Sequence, residues 1–208
     1  MRTSLPQADF GTAAASIGPN AITQMRAALL DVVGPAETVI LFRRAALQRY
    51  LAALPEQLVP EIEVVRLHGA VRNGLVPAMA RRVSTRAGSA TAKYLLEHRI
   101  PRLAHVILRA SPRGVATRLL CAAIQRHSWT FAGSAEFTVD VRTRPTFILR
   151  NCPLCREQTA GQPLCGYYAA TFQGLFQQLV DARARVEETH CAAVTGCECR
   201  FELSFPPG

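Results

Sequence analysis

A chain of 208 residues, 49% of them apolar, can bury one continuous core and is short for two independent domains, so a single domain is expected. The longest apolar runs, at 37–42 and 103–108, are broken by charge well before the ~18 residues a membrane span needs, which excludes a transmembrane segment. The formal charge of +9 is almost wholly arginine, with Lys93 the only lysine. The arginines are scattered singly and in pairs, as at Arg43-Arg44 and Arg81-Arg82. That pattern lacks the one-sided basic face with interleaved aromatics that nucleic acid requires, so an anionic small ligand or an acidic protein is the better partner.

Residues 1–18 hold a single Arg2 and no compact apolar block, so they resemble neither a secretory signal nor an anchor and read as a loosely ordered lead-in. Helical signals then run to about residue 126. A helix over 21–33 is closed by Gly34-Pro35. A second, over 36–54, repeats Leu41, Ala45, Leu47 and Leu51 at helical spacing before Pro55. Further helices are expected over 59–82, 88–97, 103–109 behind Ile100-Pro101, and 114–126, the last carrying Leu119, Leu120, Cys121 and Ile124. The texture changes at Ser128, where Trp129-Thr130-Phe131 precedes the turn-forming Gly133-Ser134 and strands are expected to begin. Residues 136–142 alternate Phe137, Val139 and Val141 with polar neighbours, and 146–150 return as the second arm of a hairpin.

After a cysteine-bearing loop over 151–162, Pro163 opens a helix to about 181. One face carries Tyr168, Phe172, Leu175, Phe176 and Leu179; another carries Gly166, Ala170 and Gly174, small enough to admit a neighbouring backbone. Final strands over 185–193 and 198–205 flank a turn at Thr195-Gly196. The sum is an α+β domain over 19–208, a helical layer (19–127) packed on an antiparallel sheet (128–208).

Six of the seven cysteines crowd between Cys152 and Cys199, and with no export signal metal thiolates are the expected use rather than disulfides, which places the chain in the cytoplasm. Cys191 and Cys199 lie on two arms of a hairpin, so strand pairing brings them together. Glu188 stands three residues before Cys191, an offset that requires a bulge or strand end at Thr189-His190 if both are to face one ion. Cys165 falls in the first turn of a helix, where the dipole favours a thiolate. Zinc held by Cys165, Glu188, Cys191 and Cys199 is therefore the leading reading, against the alternative that these are small buried hydrophobes. Cys152-Pro153-Leu154-Cys155 is either half of a second metal or redox site or a substitute for ligands in the first. Cys121 reads as core and Cys197 as a spare thiol.

The string Cys165, Glu188, Thr189, Cys191, Gly196 and Cys199-Arg200-Phe201-Glu202 resembles the 4-vinyl reductase domain family. In that family's phenol-sensing activators a cysteine, a glutamate and two later cysteines at this spacing hold a structural zinc. The family is also similar to subunits of the TRAPP vesicle-tethering complex, which implies helices on an antiparallel sheet around an apolar ligand cavity, and a homodimer. Leu67-His68, Tyr94-Leu95-Leu96, Arg99-Ile100-Pro101 and residues 128–134 resemble the bacteriochlorophyll biosynthesis J group, whose members are called bacteriochlorophyll 4-vinyl reductases, so that the resemblance spans about 19–205. It implies a tetrapyrrole ligand and, as partners, other enzymes of that biosynthesis.

Vinyl reduction needs a hydride or electron source, and no G-x-G-x-x-G turn is present. An iron–sulfur cluster would take Cys165 from the zinc set. The zinc site, with four protein ligands, reads as closed and structural. The expectation is thus a tetrapyrrole-binding carrier or accessory for the vinyl-reduction stage, taking divinyl protochlorophyllide or a magnesium porphyrin. The alternatives are a true 4-vinyl (8-vinyl) reductase fed by an external donor, and a ligand-sensing or protein-scaffolding module. Candidate ligand contacts are stacking from Trp129 and Phe131, an axial imidazole from His127 or His68, and carboxylate pairing from Arg99 or Arg126. His98, His105 and His190 are less favoured.

Overall fold

The computed structural model describes residues 15–206. Of the expected lead-in, residues 1–14 lie outside that range. Within it, β1 (Ser16–Ile17) pairs antiparallel with β2 (Val59–Pro60), and Ile17 is part of the core. The helical layer comprises α1 (Asn20–Val32), α2 (Gly34–Arg44), the single turn α3 (Arg49–Ala52), α4 (Glu61–Gly74), α5 (Pro77–His98), α6 (Arg102–Ala110) and α7 (Arg113–Arg126).

Three expected boundaries move, each for a local reason. The helix expected over 36–54 stops at Arg44 because Ala46 turns left-handed (φ 56°), with Ala46 N–H bonding Arg43 O and Leu47 N–H bonding Phe42 O. Leu47 is buried, so a hydrophobic contact fixes a helix stop that normally calls for glycine. The helix expected over 59–82 splits at Val76, which is extended (ψ 146°) because Pro77 follows it and opens α5. The segment 88–97 is the second half of α5, which runs unbroken through Gly88. Residues 128–130 form a 3₁₀ turn rather than a strand, bonded through Thr130 O to Gly18 N–H.

The sheet has the order β3 (Glu136–Asp140), β4 (Thr146–Arg150), β6 (Glu198–Ser204), β5 (Arg185–His190), all antiparallel. One face presents Phe137, Phe147, Leu149, Cys199, Phe201, Leu203 and Val186, each buried. Helix α8 (Gly166–Leu179) lies on that face. Its Phe172 stacks on Phe147 with ring centroids 4.6 Å apart and meets Phe201 edge-on at 5.8 Å. These contacts fill the space between sheet and α8 with aromatic rings.

The opposite side of α8 packs on α5, and α5 packs on α1. The α5 side of that contact is made of small residues, among them Ala80, Ala87, Gly88 and Ala92. A Cβ on Gly88 would stand 2.2 Å from Tyr167 O, and one on Gly174 would stand 2.6 Å from Ala92 Cβ. The small-residue stripe of α8 thus seats a neighbouring backbone, as its spacing predicts. No helix among the described residues is long and apolar enough to cross a membrane.

Candidate metal centre and ligand groove

Three separate devices bring the donors together at the end of the sheet where α8 begins. The register of β5 against β6 pairs Glu188 with Phe201 and His190 with Arg200, leaving Thr189 as the extra residue of a bulge. That is the bulge the offset between Glu188 and Cys191 demands. It keeps Glu188 on the face of Phe201 and ends the strand at His190, three residues short of expectation. Cys191 then opens the one-turn α9 (Ala192–Thr195), closed by Gly196 at φ 77°, so the link between Cys191 and Cys199 is a helical turn and not a tight hairpin. The third device is the loop after β4. Asn151 is left-handed (φ 56°), and Arg156 N–H reaches Cys152 O at 2.9 Å, curling Cys152 and Cys155 inward.

The result is five buried thiols and one half-buried carboxylate in two overlapping groups. Cys165, Glu188, Cys191 and Cys199 form one; Cys152, Cys155, Cys165 and Cys199 form the other. Within each group all donor atoms lie within 4.8 Å of one another. Sγ···Sγ distances are 3.6 Å for Cys152–Cys165, 3.3 Å for Cys155–Cys199 and 3.8 Å for Cys165–Cys199. Backbone N–H groups point at two sulfurs, Leu164 to Cys191 at 3.5 Å and Ala192 to Cys199 at 3.4 Å. Such N–H···S contacts are the kind that steady metal thiolates.

Electrostatics suit a cation here. Glu188 Oε2 accepts from Cys165 N–H at 2.8 Å, while Oε1 is buried with no partner, a state that costs about 1–3 kcal/mol unless something else binds it. Burial, followed by the nearby Cys191 sulfur, pushes the Glu188 carboxyl up to about 9. The thiols divide their protons unevenly. Bonding to Cys152 holds Cys155 well below the thiol range and drives Cys165 and Cys199 above it, because so many sulfurs cannot all ionise side by side. The Arg72 guanidinium is pushed down by burial, opposed by negative charge on Cys165, Cys155, Cys152 and Cys191. A divalent ion would bind the free carboxylate oxygen and relieve the crowding, so the donor set fits a metal. Cys121 sits in α7 as core, its thiol pushed up to about 12 by burial, and Cys197 is exposed.

The sequence candidates for a flat ligand are dispersed. His68 is buried in α4, edge-on to Tyr167 at 5.2 Å; burial, then Arg72, lowers it to about 3, so it is a neutral core imidazole. Phe131 belongs to the aromatic cluster, 5.1 Å from Phe137, and its carbonyl accepts from Tyr168 OH. Trp129 is 60% exposed, and Arg99, Arg126 and His127 are exposed at helix ends. His98 stacks on Tyr94 at 4.5 Å, and His190 is exposed.

A groove of about 460 Å³ opens elsewhere, between α5, α6 and α8. Ala92, Ala170 and Gly174 line it together with Lys93, Leu96, Glu97, His105, Arg109 and four other polar or small side chains. His105 Nε2 is shielded from solvent and has no hydrogen-bond partner. The sequence ranks this histidine low because its neighbours on α6 are apolar. The signal that finds it is the small-residue stripe, whose missing side chains leave space on the same flank of α8.

Comparison with known proteins agrees with this geometry. The 4-vinyl reductase domain family matches residues 145–205, the stretch that supplies all six donors. The bacteriochlorophyll synthase 23 kDa chain of Cereibacter sphaeroides is 40% identical over 200 residues, covering 92% of this chain and 91% of that one. Its counterpart in Rhodobacter capsulatus is 38% identical over 187 residues, covering 90% and 86%. The Fe(II) unliganded H-NOX protein from K. algicida superposes with a TM-score of 0.60 at 13% identity, over 92% of this chain and 98% of that chain. The phenol-responsive sensory domain of the transcription activator PoxR, with phenol, gives 0.51 at 16% identity, over 72% and 78%. At those identities the two structures share the fold alone.

Proposed function

Because this chain belongs to the bacteriochlorophyll synthase 23 kDa chain family, we propose that it is a cytoplasmic tetrapyrrole-binding protein of bacteriochlorophyll biosynthesis, a carrier or accessory for the vinyl-reduction stage. The observation that carries this reading is His105 Nε2, a shielded imidazole nitrogen left unpartnered at a groove of about 460 Å³, within the ~300–1,000 Å³ range of small-molecule sites. Magnesium in a chlorin or porphyrin accepts one axial nitrogen. His105 would supply it, while Ala92, Ala170 and Gly174 offer a flat floor and Lys93 and Arg109 stand at the rim for carboxylates. Arg109 already donates from Nε to Gln178 O at 2.9 Å, which holds its guanidinium in place. Zinc at Cys165, Glu188, Cys191 and Cys199 is structural in this reading. It pins the start of α8 to the sheet, and through α8 one wall of the groove.

Titrating the purified protein into a magnesium porphyrin tests the proposal. A Soret shift saturating at micromolar protein is expected, and no spectral change at ten times that level would overturn it. Incubating the complex of a divinyl substrate with NADPH, with and without a reducing partner, separates carriage from catalysis: a carrier returns divinyl pigment, and a reductase yields the monovinyl product.

A further inference from the structure

We propose that the cysteine cluster is binuclear: one divalent ion in Cys165, Glu188, Cys191 and Cys199, a second in Cys152, Cys155, Cys165 and Cys199, with the Cys165 and Cys199 sulfurs bridging the two. The inference rests on the zinc reading of the first set and extends it to a second ion. A thiolate tetrahedron around zinc at ~2.3 Å has edges of about 3.8 Å by simple geometry. The shared edge, Cys165–Cys199, measures 3.8 Å, and the edges that reach it from the C-x-x-C loop measure 3.6 and 3.3 Å. Both groups meet the same closeness, 4.8 Å or less between every pair of donor atoms, so the cluster has the form of two tetrahedra joined along one edge. An iron–sulfur core would place iron and sulfide between the thiolates and spread them further than this.

Charge points the same way. One divalent ion against six anionic donors leaves four negative charges in a buried site, and the structure provides Arg72 as the cation beside it. Two ions leave two, the residual charge of the Zn₂Cys₆ modules in which two zinc ions share thiolates. The loop that carries Cys152 and Cys155 is built to stay in place. Arg156 binds Glu61 Oε1 at 2.9 Å and Ser134 Oγ at 2.8 Å, and Glu61 also accepts from Ser134 N–H at 2.6 Å. The two thiols are therefore presented to the cluster by an anchored turn. Bound there, a second ion would tie the loop after β4 to α8 and β6, a connection that the first ion alone does not make.

Native mass spectrometry of reduced protein reconstituted with zinc counts the ions. Two per chain are expected for the wild-type protein and one for the Cys152→Ser/Cys155→Ser double variant. Zinc X-ray absorption on the wild-type protein is expected to show a metal–metal scattering path, which does not depend on the variant folding. One ion bound by three sulfurs and one oxygen in the wild-type protein, with no such path, would overturn the binuclear cluster and leave the first site standing. One ion bound by four sulfurs would overturn both.

Discussion

Gly88 is where the close approach of α5 and α8 is decided, and substituting it gives a result whose sign can be worked out. In Gly88→Ala the new Cβ would lie 2.2 Å from Tyr167 O and 2.9 Å from Ala170 Cβ, against the ~3.4 Å at which ordinary contact begins. Tyr167 O is backbone within α8 and cannot swing aside, so the helices must part by roughly an ångström. Overpacking of this kind costs about 1–3 kcal/mol. The Thr171 Oγ1 bond to Gly88 O at 3.1 Å weakens as well, for about 1 kcal/mol. Replacing a helical glycine returns ~0.5–1 kcal/mol. The net is a loss of about 1–3 kcal/mol.

Gly69 in α4 is the matched control, because nothing lies within 4 Å of its would-be Cβ and Gly69→Ala should therefore stabilise by up to ~1 kcal/mol. Urea unfolding reads both, with midpoints expected to move in opposite directions at unchanged slope. Equal shifts for the two variants would refute the close approach. Tyr167 lies two residues beyond Cys165, so Gly88→Ala should also weaken zinc binding, while Gly69→Ala should leave it unchanged.

Removing the metal ligand itself has a larger effect. Cys165→Ser, or chelation of the wild-type protein, should lower stability by at least about 3 kcal/mol, part of the ~10–16 kcal/mol that zinc supplies to small metallo-peptides, with helical circular dichroism largely kept because the apolar layers persist. His105→Ala should abolish the axial shift of the magnesium-porphyrin Soret band while leaving the urea midpoint within ~0.5 kcal/mol of wild type; an unchanged Soret response would remove His105 from the ligand site. His68, lowered to about 3 by burial and then by Arg72, gives a pH signature. Its folded pKa lies below the ~6.5 of the unfolded chain, so its contribution is full above pH ~6.5 and drains as the pH falls toward 3. The wild-type protein should lose about 2 kcal/mol between pH 7.5 and 5 that a His68→Gln variant does not lose. Parallel pH profiles would show that His68 is solvated.

What could be read from the amino-acid order was whatever rests on local chemistry. Pro77 and Pro101 sit just before or at helix starts, where proline's fixed φ fits. Gly166, Ala170 and Gly174 announced a close helix contact, and the three-residue offset of Glu188 from Cys191 required the bulge that β5 contains. What could not be read depends on partners distant in the chain. Ala46 takes a left-handed stop because Leu47 finds a place in the core, and no residue near it signals that. The docking of the C-x-x-C loop hangs on Arg156 and Ser134 reaching Glu61, over 70 residues upstream of Ser134. His68 looked like an axial ligand on the strength of its neighbours in sequence, yet Tyr167 and α1 enclose it. His105 gains its interest only once α8 supplies the other wall of the groove.

The most direct measurement is a crystal structure of the protein grown with a magnesium porphyrin. The account expects the macrocycle in the α5–α6–α8 groove with His105 Nε2 on the magnesium; a macrocycle seated elsewhere, or a groove left empty at saturating ligand, would contradict it.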